Sequence, residues 1–331
     1  MKGLAPIESY DDLMETSHGF RRARIILSAV ETELFSLIGK DKLTAKQVAS
    51  KGQLSLRAVE IVLDSLAAMG LLIKEENRYS SSPLAAKYLT KGSEAYIGAT
   101  MLYRAKLWEN WSNLTNILRG EVTDWMRKKP GLTDPALNRS FILCMHDLHY
   151  PDALRMCQFL NLKGVKHMVD LGGGAGSYSI AFVNCFHGLR STIIDLPQTL
   201  EVAREVISDF GLSERIECKK GDIYNDLMLP VGNDVDLFFV SNILHEEGYE
   251  ENARLMKRLY KYLVPGGRVI INDFILDESR TQPEEGAIFS VNWLVNTERG
   301  KSYTKGEIER MLSGAGFQVS FEHDLAFGRK G

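Results

Sequence analysis

The chain has 331 residues, 44% of them hydrophobic and 25% charged, which is ample material for two cored domains. A net charge of −3 gives no electrostatic drive toward nucleic acid, and no apolar run approaches bilayer-spanning length. Four scattered cysteines without a C-x-x-C spacing fit free thiols better than disulfides or zinc, so a cytoplasmic protein is expected, with no membrane partner.

Residues 1 to about 18 read as a polar, loosely held lead-in. From Phe20 to Ile38, apolar residues recur at helical spacing: Ile25, Ile26, Ala29, Val30, Leu34 and Leu37. Thr44 is a plausible N-cap for a short helix, and Ser55 for another over Leu56–Met69, which Gly70 would end. Leu71–Ser80 reads as a hairpin turning at Glu76-Asn77. Helix, turn, helix and wing predict a winged helix over residues 1–92. Its second helix offers Arg57 as a cation, flanked by Glu60 and Asp64. A recognition helix needs donors for phosphates and base edges, so packing or dimerisation is expected there rather than DNA binding.

Residues 93–163 read as a helical connector dense in aromatic and sulfur side chains, among them Tyr96, Trp108, Trp111, Trp125, Phe141, Met145 and Tyr150. Pro130-Gly131 and Asp134-Pro135 break the run. Most of these side chains are expected in a core, and some could line an apolar pocket. His146 and His149 can share a helix face near Cys144, but no third strong ligand lies close, so no metal is expected.

From residue 164 onward strand and helix alternate, which predicts an α/β domain with a doubly wound, mostly parallel sheet. Strands are expected at Met168–Leu171, Thr192–Asp195, Ile216–Lys219, Val235–Val240 and Arg268–Phe274. Helices are expected at Ser177–Phe186, Leu200–Phe210 and Glu251–Leu263, and a short final edge strand at Phe327–Lys330. The first strand runs into Gly172-Gly-Gly-Ala-Gly176, a turn that lets a ligand approach the backbone and faces a helix N-terminus. The spacing is G-x-G-x-G, not the dinucleotide G-x-G-x-x-G. Asp195 ends the second strand 19 residues after the turn, where an acid accepts from a ribose diol. No lysine or arginine stands in the turn to meet a pyrophosphate. An adenosine cofactor without phosphates is therefore expected, namely S-adenosylmethionine. Asp222 and Ile223 end the third strand and suit an adenine amino group and ring. Ser241 through His245 end the fourth, and Asn272-Asp273 the fifth. His245 is suited to proton transfer near neutral pH.

These motifs resemble the S-adenosylmethionine-dependent O-methyltransferases of the plant caffeate, acetylserotonin and bacterial natural-product type, over nearly the whole chain. The resemblance rests on Val169–Gly176, Asp195-Leu-Pro197, Gly221–Tyr224, Ile243–Glu246, Pro265–Ile271 and Gly314–Phe317. It implies a Rossmann-like methyltransferase domain over 164–331, behind a dimerisation domain that makes a homodimer. Gly172, Gly174, Asp195, Leu196, Asp222, Ile223 and Ser241 would hold the cofactor. His245 would be the general base that takes the acceptor hydroxyl's proton, oriented by Asp273. Phe141, Met145, Leu148, Trp293 and Asn296 would line the pocket of a small, aromatic or conjugated acceptor. Three positions depart from the plant pattern: Ser241 replaces a lysine, Glu247 a tryptophan, and Ser302 a glutamate. The departures leave open a relative that binds the cofactor but decarboxylates or hydroxylates, or that methylates another atom.

Overall fold

The computed structural model describes residues 6–121, 135–226 and 228–331. Trp125 and the Pro130-Gly131 break lie outside these residues. The chain divides into two compact units, residues 1–112 and 113–331, so the stretch 93–163 is shared between them.

In the first unit, helix α1 spans Tyr10–Glu31. It begins well before the expected Phe20, because Ser9 and Asp12 form a capping box. The Ser9 hydroxyl accepts from Asp12 N–H at 3.1 Å and the Asp12 carboxylate accepts from Ser9 N–H at 2.9 Å. The early turns carry mostly exposed side chains, so apolar periodicity could not reveal them. The helix expected to run to Ile38 breaks at Thr32-Glu33, where Glu33 takes a φ of 58°, and α2 follows at Leu34–Ile38. Strand β1 (Leu43–Thr44) leads into α3 (Ala45–Gly52), where Thr44 and Gln47 form a second capping box. Helix α4 covers Leu56–Ala68; Ser55 precedes it in extended conformation, but its hydroxyl makes no capping bond.

Strands β2 (Leu72–Glu75) and β3 (Arg78–Ser81) form the expected hairpin, with Glu76 at a φ of 53° and β1 paired on the far side of β3. Asp64 of α4 accepts from Lys74 Nζ and Tyr79 Oη, both at 2.6 Å, so an acid of the second helix ties down the hairpin. Helices α5 (Pro83–Tyr88) and α6 (Gly98–Ser112) complete the unit, around a core that includes Val30, Phe35, Ile38, Val48, Leu63 and Leu66.

The second unit opens with α7 (Leu114–Leu118) and α8 (Pro135–Met156). The alternating part follows as β4 (His167–Leu171), α9 (Ser177–Cys185), β5 (Arg190–Asp195), α10 (Pro197–Asp209), β6 (Ile216–Lys220) and β7 (Val235–Ser241). After a 3-10 turn at Leu244–Glu246 come α11 (Tyr249–Tyr262), β8 (Leu263–Asn272), α12 (Glu284–Asn296), α13 (Lys305–Gly314), β9 (Gln318–Glu322) and β10 (Leu325–Arg329). The sheet order is β6-β5-β4-β7-β8-β10-β9. The first five are parallel, and β10 is antiparallel to both its neighbours.

The last strand is therefore not the edge strand that was expected; it inserts between β8 and β9. The expected helix at Leu200 starts earlier, at Pro197, whose fixed φ suits a first helical turn. The strand expected to reach Phe274 ends at Asn272, which leaves Asp273 just beyond the sheet. Both sheet faces are covered, so the central strands are nearly continuous apolar runs. Leu237 and Phe239 of β7 pack into one core, Phe238 and Val240 into the other. The chain reverses direction across the sheet at β4, which places its carboxyl end at the switch point where α/β ligands bind.

Candidate active site

The turn after β4 is built by its neighbours. Gly172 has a φ of 63°, donates its N–H to Ile194 O at 2.8 Å, and would set a Cβ 2.3 Å from the Ile243 side chain. At Gly174, φ is 58° and a Cβ would meet nothing within 4 Å, so the chain presents bare backbone to open space. Gly174 N–H is donated to Asp195 Oδ2 at 2.9 Å, and Leu196 N–H to Asp195 Oδ1 at 2.7 Å. Burial pushes the Asp195 carboxyl up to about 6, against the pull of those N–H groups. The Thr199 hydroxyl also bonds this carboxyl, and the acceptor capacity that remains suits a ribose hydroxyl.

The third expected strand end differs in detail. Ile223 is buried and lies 4.0 Å from a notional Gly172 Cβ. Asp222 closes its own turn: Oδ1 accepts from Tyr224 and Asn225 N–H at 3.1 and 3.0 Å, and Oδ2 from the Asn225 amide at 2.9 Å. At the tips of β7 and β8, the Asn272 amide donates to Ser241 Oγ at 2.9 Å and to Tyr178 Oη at 3.0 Å.

His245 sits in the 3-10 turn, 3% exposed. Its Nδ1 is 2.5 Å from Asp273 Oδ1, which also accepts the Phe274 N–H at 2.8 Å. The Trp293 indole stacks on the imidazole with ring centres 4.1 Å apart and planes inclined by 18°, and Phe289 meets it edge-on at 5.5 Å. With Nδ1 held by a carboxylate, Nε2 is the ring nitrogen left to exchange a proton with an acceptor. The structure thus brings His245, Asp273 and Trp293 into one cluster. Asn296 follows Trp293 near the end of α12 and donates its amide to Asn292 O at 2.6 Å. Ser302 is buried and donates to Gly286 O at 2.9 Å, fixing the start of α12.

On α8, Phe141 packs against the core beneath α9 and α10, Met145 is half-buried, and Leu148 is 49% exposed. The two histidines of this helix meet α9. His146 Nδ1 lies 3.0 Å from Ser177 Oγ, and the His149 ring faces Tyr178 at 6.2 Å. Among the described residues no cluster of metal ligands is present.

Asp170 was not singled out from the sequence. It is 1% exposed inside β4, accepts from Ser179 Oγ at 2.7 Å, and is pushed up to about 6 by burial. The available signal was an acid in the middle of an apolar strand.

The sequence profile of the O-methyltransferase domain matches residues 125–318, and that of the O-methyltransferase dimerisation domain matches residues 14–91. The chain belongs to the S-adenosylmethionine-dependent O-methyltransferases. It is 31% identical to the tetracenomycin polyketide synthesis 8-O-methyl transferase of Streptomyces glaucescens, over 96% of each chain. It is 26% identical to human acetylserotonin O-methyltransferase, over 96% of this chain and 94% of that one. A solved O-methyltransferase family protein from Burkholderia thailandensis superposes with a TM-score of 0.87 at 26% identity, covering 98% and 99% of the two chains.

The methyltransferase's cofactor fits the site described. A glycine backbone open to a ligand adjoins a carboxylate suited to a ribose, and no cation stands in the turn for a phosphate. Among the described residues, no helix is long and apolar enough to cross a membrane.

Proposed function

We propose that this methyltransferase acts on the hydroxyl of a small aromatic or conjugated acceptor, with His245 as general base and Asp273 as the group that orients it. The observation that carries this reading is the 2.5 Å contact between His245 Nδ1 and Asp273, two buried side chains at the tips of neighbouring strands. The names of two relatives support an aromatic acceptor: one methylates an oxygen in tetracenomycin polyketide synthesis, the other methylates acetylserotonin. Gly172 would approach the cofactor's methionine end and Asp195 its ribose, with Asp222 and Ile223 toward the adenine and Gly174, Leu196 and Ser241 also lining the cofactor. Trp293, with Phe141, Met145, Leu148 and Asn296, would line the acceptor side. The matched dimerisation domain supports a homodimer.

S-adenosylmethionine supplies a sulfonium methyl group open to in-line displacement. The protein's task is to align the hydroxyl oxygen and to remove its proton. A phenol near pKa 10 and a histidine near 6.5 differ by about 3.5 units, roughly 5 kcal/mol uphill if deprotonation came first. Proton removal is therefore either concerted with formation of the new C–O bond or helped by a pocket that acidifies the phenol. An aliphatic alcohol widens the gap, which favours an acidic hydroxyl on an aromatic ring.

The test is incubation with S-adenosylmethionine and a panel of phenols, read by mass for a gain of one methyl group. His245→Ala should keep affinity for S-adenosylhomocysteine and lower turnover by roughly 100-fold or more. Unchanged turnover would remove His245 from the mechanism.

A further inference from the structure

We infer that Asn252, with Tyr224 and Tyr303 on either side of it, is a positioning residue that fixes the turn carrying His245. The inference rests on the reading of His245 as general base. A single 3-10 turn has poor hydrogen-bond geometry and little stability of its own. Here it is held inside by Glu246 N–H to Ile243 O at 3.1 Å and Glu247 N–H to Leu244 O at 3.3 Å. Something outside the turn must keep its orientation.

Asn252, on the first turns of α11, is fully buried. Its Nδ2 donates to Leu244 O at 2.8 Å and Glu247 O at 3.3 Å, the carbonyls one residue before and two after His245. Nδ2 also lies 3.2 Å from Tyr303 Oη, and that hydroxyl donates to Glu247 O at 2.5 Å. The amide's other end is used too: Oδ1 accepts from Tyr224 Oη at 2.7 Å, and the same hydroxyl lies 3.4 Å from Ile243 O. Two carbonyl partners on one end and a hydroxyl donor on the other fix the amide's orientation.

An apolar side chain would fill this space. What an asparagine adds is directional capture of main-chain oxygens on both sides of the histidine. Gly300 also packs closely on this turn, where a Cβ would stand 2.3 Å from His245 O. The network also has a second anchor. Arg258, two turns along α11, donates to Ile223 O and Asp226 O in the turn assigned to the adenine. One helix thus holds both the segment expected to meet the nucleoside and the segment that carries the base.

The experiment reads the imidazole itself, so it does not depend on turnover. Imidazole 15N resonances of the S-adenosylhomocysteine-loaded protein are assigned to His245 by their loss in His245→Ala. In the native chain they should report one tautomer, protonated on Nδ1 toward Asp273. In Asn252→Ala they should move to a mixture of tautomers, and turnover per cofactor-binding site should fall at least tenfold with acceptor KM changed less than threefold. A merely structural role would lower the melting temperature and leave the tautomer in place, and that result overturns the assignment. If Asn252→Ala does not fold, Tyr303→Phe removes one bond to Glu247 O and is read in the same way. A shifted tautomer with unchanged turnover would leave Asn252 as the holder of the turn and count against His245 as the base.

Discussion

Replacing Asp273 with Asn isolates the charge that faces the imidazole. The native side chains of His245 and Asp273 are 4% and 6% exposed, so little water screens the pair. Asp273 Oδ1 accepts from both His245 Nδ1 and Phe274 N–H, and an asparagine oxygen can keep both bonds. Oδ2 is buried without a partner among the described residues, so an NH2 group there replaces an unsatisfied charged oxygen with a neutral donor. Thermal stability should therefore change little. What disappears is the excess of a charge-assisted bond over a neutral one once the imidazole takes a proton, roughly 1–1.5 kcal/mol. At 1.36 kcal/mol per power of ten, turnover should fall roughly 5- to 13-fold. The assay is initial rate of methyl transfer to an un-ionised phenol, beside calorimetry with S-adenosylhomocysteine, whose affinity should be unchanged. Turnover within threefold of the native value would refute the idea that this carboxylate supports the base.

Two further perturbations test other parts of the site. In Gly174→Ala, the new Cβ meets no protein atom, so stability should fall only by the left-handed backbone strain of about 1–2 kcal/mol. Affinity for S-adenosylhomocysteine should fall at least tenfold beyond that, and unchanged affinity would remove Gly174 from the cofactor's path. Asp170 titrates higher in the folded chain, near 6, than in the unfolded one, near 3.9, so the folded state holds its proton longer. Its contribution is most favourable below the unfolded value and is lost as pH rises through 6, by roughly 3 kcal/mol. Asp170→Asn should therefore lessen the decline in melting temperature between pH 4 and 7 relative to the native chain, and parallel profiles for the two would contradict this.

What could be read in advance was what local backbone chemistry dictates. Gly172 and Gly174 announce positive φ, the apolar runs around Val169 and Phe238 announce strands covered on both faces, and Thr44 announces its helix. That Asp195 meets the glycine turn was legible because its distance along the chain from the turn is fixed by one βαβ unit. What could not be read depends on partners distant in sequence. The stacking of Trp293 on His245, the four hydrogen-bond partners of Asn252 and the burial of Asp170 all arise from packing between elements. The insertion of β10 between β8 and β9 is a choice of register among strands of similar pattern. The early start of α1 is encoded in Ser9-x-x-Asp12, a capping box whose following turns are polar and carry no buried face.

The contacts that hold the His245 turn fall on peptide carbonyls, and every amino acid brings the same carbonyl. Side-chain identity at 246 and 247 is thus uncoupled from the imidazole's placement. Glu247 can therefore stand where the plant pattern has a tryptophan while its carbonyl still receives the Asn252 amide and the Tyr303 hydroxyl.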